Sequence, residues 1–328
     1  MSRAVKTFRR ILVGMGTAAF AVASSAQAQT DFPTRPMRLI NPYSPGGSVD
    51  VVSRALAAAI TEAWNMQVIV DNRAGAGTTI GTGIVARAEP DGYTMLVNSS
   101  AIAIMPAMYS KLSFSTITDL TSINLLTSSC QVLVVHPDVP AKSVKDLIAL
   151  AKSQPGKISG ASSGIGSTNH LTLEMFKSMT GANILHVPYK GGGPALIDLI
   201  SGQVKMFFNA ASTILPHTKA GRVRALGVTS AKRQEQFPDL PTIAESGVAG
   251  FESVSWYGLY GPKNLPKNLV KRWNDASTRY LQDPKTVEFF RRYSMTTGGL
   301  SQAEFEAYHK SETDRWGKVM KTAGVKPL

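Results

Sequence analysis

Five short stretches offer side chains and bare backbone from which a site could be built. They are YSPGGS (43–48), NSSA (98–101), SSGIGSTNH (162–170), YKGGGPA (189–195) and NAAS (209–212). All are rich in glycine, serine and asparagine, and apart from Lys190 they are nearly free of charge. Each follows an apolar run that reads as a strand, and most precede a helical pattern. The first amides of a helix have no intrahelical acceptor and carry about half a positive charge. Several such ends aimed into one cleft would hold a carboxylate without any arginine. Glycine and serine are also ordinary βα-turn residues, so one such loop alone says little. Five in matching positions beyond strand ends point to binding.

Enzymatic chemistry has to be weighed against this. Gly160-Ala161-Ser162-Ser163-Gly164 matches G-x-S-x-G between a strand and a helix, the setting of a nucleophile elbow. A secreted serine hydrolase using Ser162 is therefore the alternative function. It would need an acid and a histidine, and His186, His217 and His309 stand in no recognisable triad pattern. Gly75-Ala76-Gly77-Thr78-Thr79-Ile80-Gly81 is one residue off the dinucleotide fingerprint, but the next strand ends in Asn98 where an acid is required. No Walker lysine follows any glycine loop. No grouping of His, Cys and Asp along the chain suggests a metal, so neither metal nor cofactor is expected. Cys130 is single, cannot form an internal disulfide, and reads as a small buried strand residue.

The elements that must position these loops alternate. Residues 37–42, 67–72 and 93–98 read as strands, with helices over 48–63 and 79–88. Ser48 is the expected N-cap of the first helix. The pattern restarts at QVLVVH (131–136). A helix capped by Ser143 follows, then strands at 157–162, 182–187, 204–209 and 223–229, with helices over 168–179 and 191–200. Residues 250–261 are again extended. Three helices close the chain: one after Pro266, one over 284–293, and one opened by the capping box Ser301–Glu304. This is an α/β chain with two βαβαβ units, each a mostly parallel sheet flanked by helices. The passages between units fall near 127–136 and 250–260, which implies a hinged cleft.

The chain has 328 residues, 43% of them apolar and 17% charged, which is a globular composition. Arg3, Lys6, Arg9 and Arg10 precede the apolar run ILVGMGTAAFAVA and the small-x-small signature Ala26-Gln27-Ala28. Residues 1–28 read as a signal peptide cut after Ala28, and Arg9-Arg10 is also compatible with twin-arginine export. No cysteine stands at the cleavage site, so no lipid anchor is expected. The net charge of +13 includes four positives from this leader. The remaining basic residues are scattered, which argues against nucleic acid and for attraction of small anions.

Longer segments carry a family resemblance. FPTRPMRLINPYSPGGSVDVVSR, VIVDNRAGAGTTIGTGIVARAEPDGYT, HVPYKGGGPALIDLISGQV, HTKAGRVRALGVTSAKR and FPDLPTIAESGVAGFESVSWYGLYGP occur in this order. The chain resembles the Bug family, the periplasmic solute receptors of tripartite tricarboxylate transporters. The resemblance implies a two-lobed, Venus-flytrap binding protein, type II-like, that is not an enzyme. It implies lobe 1 over 29–129 plus 256–328 and lobe 2 over 130–255. The ligand would be a small carboxylate held by backbone N–H groups, hydroxyls and waters, with transporter membrane subunits or a signalling partner outside and a monomeric receptor in the periplasm. Matched to the family's motifs, the first lobe would bind through Tyr43, Ser44, Gly46, Gly47, Ser48 and Asp50, with Ser99 from the next loop. The opposing lobe would offer Ser163, Gly166, Ser167, Thr168, Tyr189, Gly191 and Gly192. The family often has an aspartate where this chain has Asn209, which weakens the case for an amino-acid ligand if Asn209 meets it. The first loop reads Tyr43-Ser44 where phenylalanine and proline are common. Tyr43, Tyr189, Trp256 and Tyr257 either border an aromatic ligand or pack in the hinge and core.

Overall fold

The computed structural model describes residues 32–189 and 191–327, so the leader and Lys190 lie outside the described residues. In chain order the first unit contains β1 (Met37–Asn41), α1 (Ser48–Trp64), β2 (Val68–Asn72), α2 (Thr79–Ala86), β3 (Thr94–Ser99) and α3 (Ala101–Met108). The long β4 (Leu120–Val135) leads into α4 (Val144–Ser153), β5 (Ile158–Ser162), α5 (Thr168–Thr180), β6 (Ile184–Pro188), α6 (Gly192–Ile200), β7 (Met206–Ala210), α7 (Ala211–Lys219) and β8 (Arg224–Val228). The chain returns through β9 (Val254–Pro262) to α8 (Lys267–Gln282), α9 (Pro284–Arg292), β10 (Thr296–Thr297) and α10 (Gln302–Thr322).

Two parallel blocks, β2-β1-β3 and β6-β5-β7, are joined through the antiparallel strands β9 and β4. β4 does the joining. Leu120 to Cys130 pairs with β9, and Gln131 to Val135 pairs with β7. The sheets are thus parallel where βαβ crossovers build them and antiparallel at the junction. A strand running straight through two lobes must meet a return strand of opposite direction.

Both faces of each block are covered, so the strands read as continuous apolar runs. Leu39, Met95 and Val97 pack with α1 and α8, while Ile40 and Leu96 pack with α2, α3 and α10. In the second block Leu133, Met206 and Phe208 pack with α4 and α5, and Val132, Val134 and Phe207 pack with α6 and α7. Cys130 is buried among the latter, and burial pushes its thiol up to about 12, so it is inert. Among the described residues no helix is long and apolar enough to cross a membrane.

Helix starts depart from expectation at one telling place. Ser143 and Ser301 cap α4 and α10 with their hydroxyls, as their spacing predicts. α1 is not capped by Ser48. Its N-cap is Gly47, with no side-chain hydrogen bond, and Ser48 meets the Tyr257 hydroxyl instead. α3 was not expected at all. It is AIAIMPAM, apolar all round with Pro106 inside, so it has no polar face to produce a helical period.

Candidate functional site

The loops beyond the parallel strands of both units open on one cavity of about 680 Å³. Tyr43, Ser44, Gly47, Ser48 and Ser99 line it from the first unit. Ser163, Gly166, Ser167, Thr168, Gly191, Gly192 and Asn209 line it from the second. The units touch beside it, with Ser100 Oγ 3.2 Å from Thr168 Oγ1. No charged side chain is among the described residues of the lining.

Backbone therefore supplies the electrostatics. α1 and α6 both start at a glycine without side-chain capping, Gly47 and Gly191, so their first-turn amides face the cavity unspent. Each helix dipole places positive potential there. The paired glycines divide the work. Gly46 and Gly191 adopt φ of +90° and +117°, which side chains disfavour, and so make the turns. Gly47 has φ −83°, and a β-carbon there would meet nothing within 4 Å. Its missing side chain leaves room for a ligand.

Three residues expected at the ligand, Gly46, Asp50 and Tyr189, do not line the cavity. Asp50 is 5% exposed and faces inward. It accepts from Gly46 N at 3.0 Å, Asn72 Nδ2 at 3.0 Å, Asn41 Nδ2 at 3.2 Å and Arg54 Nε at 2.8 Å. Burial alone would raise its pKa, but the Arg54, Asn72 and Gly46 bonds outweigh it and hold the carboxyl at about 2. Asp50 thus braces the 43–48 loop, and Gly46 is one of the groups it holds. Tyr189 turns away from the cavity. Its hydroxyl donates to Asp198 Oδ2 at 2.7 Å, and burial, with that carboxylate, pushes it up to about 12. Of the other aromatics, Trp256 is fully buried in the core, whereas Tyr43 and Tyr257 reach the cavity. The Tyr43 hydroxyl bonds Ser99 Oγ, and burial raises its pKa.

The sequence reading missed one wall and several polar groups, Thr78, Tyr109, Gln131, Asn169 and Ser255. α3 contributes Ala101, Ile104, Met105 and Met108, an apolar side invisible to periodicity. Gln131 reaches the cavity from the strand that joins the two sheets. Asn169 accepts from Ser163 N at 3.0 Å and donates to Ser163 Oγ at 2.8 Å, which shapes the 162–170 loop at the cavity. The βα-loop position of Asn169 was the available signal for it.

Ser162 does meet a histidine, with His186 Nε2 2.6 Å from its Oγ. This does not make a nucleophile. Ser162 is fully buried and absent from the cavity lining, so no substrate reaches its oxygen. Folding also gathers His170, Glu174 and His186, which sequence spacing did not show. His170 Nδ1 accepts from Gly166 N at 3.1 Å, which puts the ring proton on Nε2, and Glu174 is taken by Lys177 Nζ at 2.8 and 2.9 Å. His170 is thus spent on holding the loop, Glu174 on the Lys177 ammonium and His186 on Ser162.

Residues 52–325 match the tripartite tricarboxylate transporter family receptor. The chain belongs to that family. It is 33% identical to Protein BugT of Bordetella pertussis over 317 residues, covering 96% of this chain and 97% of BugT. It is 36% identical to the UPF0065 protein in the tcbD-tcbE intergenic region of Pseudomonas sp. strain P51, covering 95% and 93%. Among solved structures it resembles R. palustris Rpa4515 with adipate, at TM-score 0.83 and 35% identity, covering 91% and 100%. It also resembles the periplasmic binding protein BugD, at 0.79 and 34%, covering 90% and 100%. MatC from Rhodopseudomonas palustris with bound malate matches at 0.78 and 26%, covering 88% and 99%. The fold is accordingly that of a two-lobed periplasmic binding protein, and the chain is a Bug-family solute receptor of the tripartite tricarboxylate type.

Proposed function

We propose that this receptor captures a small organic carboxylate between its lobes. The observation that carries the reading is the uncharged cavity onto which uncapped helix starts from both units open. Such a site favours an anion and binds it without a cationic side chain. The adipate and malate found in two similar structures fit this chemistry. Lobe 1 comprises 29–129 plus 256–328 and lobe 2 comprises 130–255, with β4 and β9 as the passages between them. The ligand contacts both lobes, so it favours the closed form, and closure is what the transporter's membrane subunits recognise. The receptor works as an exported monomer in the periplasm after losing residues 1–28, and it catalyses nothing. The buried Ser162 removes the reason to expect hydrolysis.

Thermal unfolding of residues 29–328, refolded to strip carried-over ligand, tests this. The panel holds carboxylates, amino acids and neutral sugars. A ligand at a hundred times its Kd adds about 2.7 kcal/mol of stability. A shift with carboxylates and none with sugars is expected. Shifts with sugars alone would overturn the reading.

A further inference from the structure

The glycine loop at 75–78 binds no dinucleotide, yet its backbone is under strain. Gly75, Ala76, Gly77 and Thr78 take φ of +134°, +44°, +58° and +77° in succession. Alanine and β-branched threonine avoid that region, and such strain persists where a surface must keep a given shape. The shape here is a strip that crosses the cavity mouth from one unit to the other. It begins at Ile80 on α2, 51% exposed, whose Cδ1 fills the place of a side chain at Gly75. The Tyr109 hydroxyl fills the same place at Gly77. Tyr109 follows Met108 at the end of α3, and the Met108 side chain fills that place at Gly166 of the second unit. Beside Gly166 stands Ile165, 55% exposed. One exposed isoleucine needs no explanation, but a continuous apolar run with one at each end marks a contact surface. Its margin is basic. Arg73 and Arg38 share the carboxylate of Asp71, Arg87 meets Ser113 Oγ at 3.4 Å, and Lys111 has no carboxylate partner among the described residues.

We propose that this strip is where the transporter's membrane subunit docks, an inference that rests on the receptor reading. The occupant is a periplasmic segment that places apolar side chains between Ile80 and Ile165 and carboxylates against Lys111, Arg87 and Arg73. The strip is continuous only while Met108 meets Gly166, so the partner favours this arrangement of the lobes over one in which they part. Ligand-held closure thus becomes readable from outside. An anionic lipid surface would answer the charges, but a fluid surface cannot read the registration of two lobes.

Photocrosslinking in intact cells of the source organism tests the proposal. Benzoylphenylalanine replaces Ile80 or Ile165, one at a time, in the full-length receptor, and Val287, an exposed apolar residue of α9, is the control position. Both strip positions are expected to capture the same integral membrane protein, and Val287 is expected not to. Ile80→Asp should cut capture from position 165 at least about tenfold, because docking would bury an unpaired charge. Lys111→Glu should weaken that capture as well. Neither Ile80 nor Lys111 lines the cavity, so both variants should keep the carboxylate-induced thermal shift, which also shows that they fold. No capture, capture of lipid alone, equal capture at all three positions, or capture unchanged by both substitutions overturns the docking strip. None of these results touches the receptor reading, which falls only if the wild-type protein shows no carboxylate shift.

Discussion

Gly46 and Gly47 are adjacent and chemically identical, yet they do different things. Gly46 is needed by the chain, because its φ of +90° is strained for any side chain. Gly47 has an ordinary backbone and empty space beside it, so on the proposed reading its bareness serves the ligand. Gly47→Val should therefore leave the unliganded melting temperature nearly unchanged and abolish the carboxylate-induced shift. Gly46→Val should instead lower the unliganded melting temperature, by about 1 kcal/mol or more of stability. Equal losses of unliganded stability in the two variants would refute this division. Asp50 makes a similar point about acids. It sits in the binding motif but serves the loop, so Asp50→Asn should cost about 1.5–3 kcal/mol, the range for hydrogen bonds to a charged group. Urea unfolding reads that loss directly.

At the scale of elements, the site consists of helix starts held in place by strands. α5 is capped by its own Ser167, whose Oγ accepts from His170 N at 3.3 Å, while α1 and α6 are not capped by side chains. The uncapped pair stand on opposite lobes, so a ligand that satisfies both bridges them. α10 spans the same junction. It packs against α3 and α5, and its Glu312, 6% exposed, accepts from the indoles of Trp256 at 3.0 Å and Trp316 at 3.2 Å. Arg315 completes the cluster with bonds of 2.8 and 3.0 Å to the same carboxylate. Removing Glu312 leaves two buried indole donors without their acceptor and the Arg315 guanidinium with only the Glu252 carbonyl. Glu312→Ala should cost about 2–3 kcal/mol, since it strands two buried indole donors while the one-third exposed Arg315 is left to water, and calorimetric melting would show it. A loss under about 1 kcal/mol would mean that the cluster does not hold α10.

Over the whole molecule, stability should depend on pH through two buried histidines. Burial holds His309 at about 4, and burial with nearby His186 and Lys177 does the same for His170, against 6.5 in an unfolded chain. Both stay neutral in the fold while the unfolded chain takes up protons. Stability is then complete above about pH 6.5 and is lost progressively as pH falls from there towards 4. Asp50 adds a later loss, because its lowered pKa protects the fold until pH drops below the ordinary carboxyl value towards 2. Melting temperatures measured at steps from pH 7 to 4 should decline across that window. A flat profile would show that the unfolded chain gains no proton the fold refuses. Protonating His170 in the fold sets its Nδ1 against Gly166 N–H, so ligand affinity should hold through the upper part of that window and fall only as pH nears 4.

The glycine and serine loops, the alternation of strands and helices, and the two crossings were legible in the residues because local chemistry determines them. Turn glycines, capping serines such as Ser143 and Ser301, and fully buried strands declare themselves over a few neighbours. The ordered segments from FPTRP to LYGP were enough to place the chain in its family. Tertiary structure alone decided where side chains point once strands twist and lobes face each other. Asp50 and Tyr189 share loops with cavity residues but turn inward or aside, to Arg54 and Asp198. α3 stayed hidden because a helix buried on every side has no period to read. The meeting of Ser162 with His186, and of Ser163 with Gly192 and Asn209, joins positions far apart in the chain. No spacing rule anticipates such contacts, because they exist only once parallel strands bring their loops to one edge.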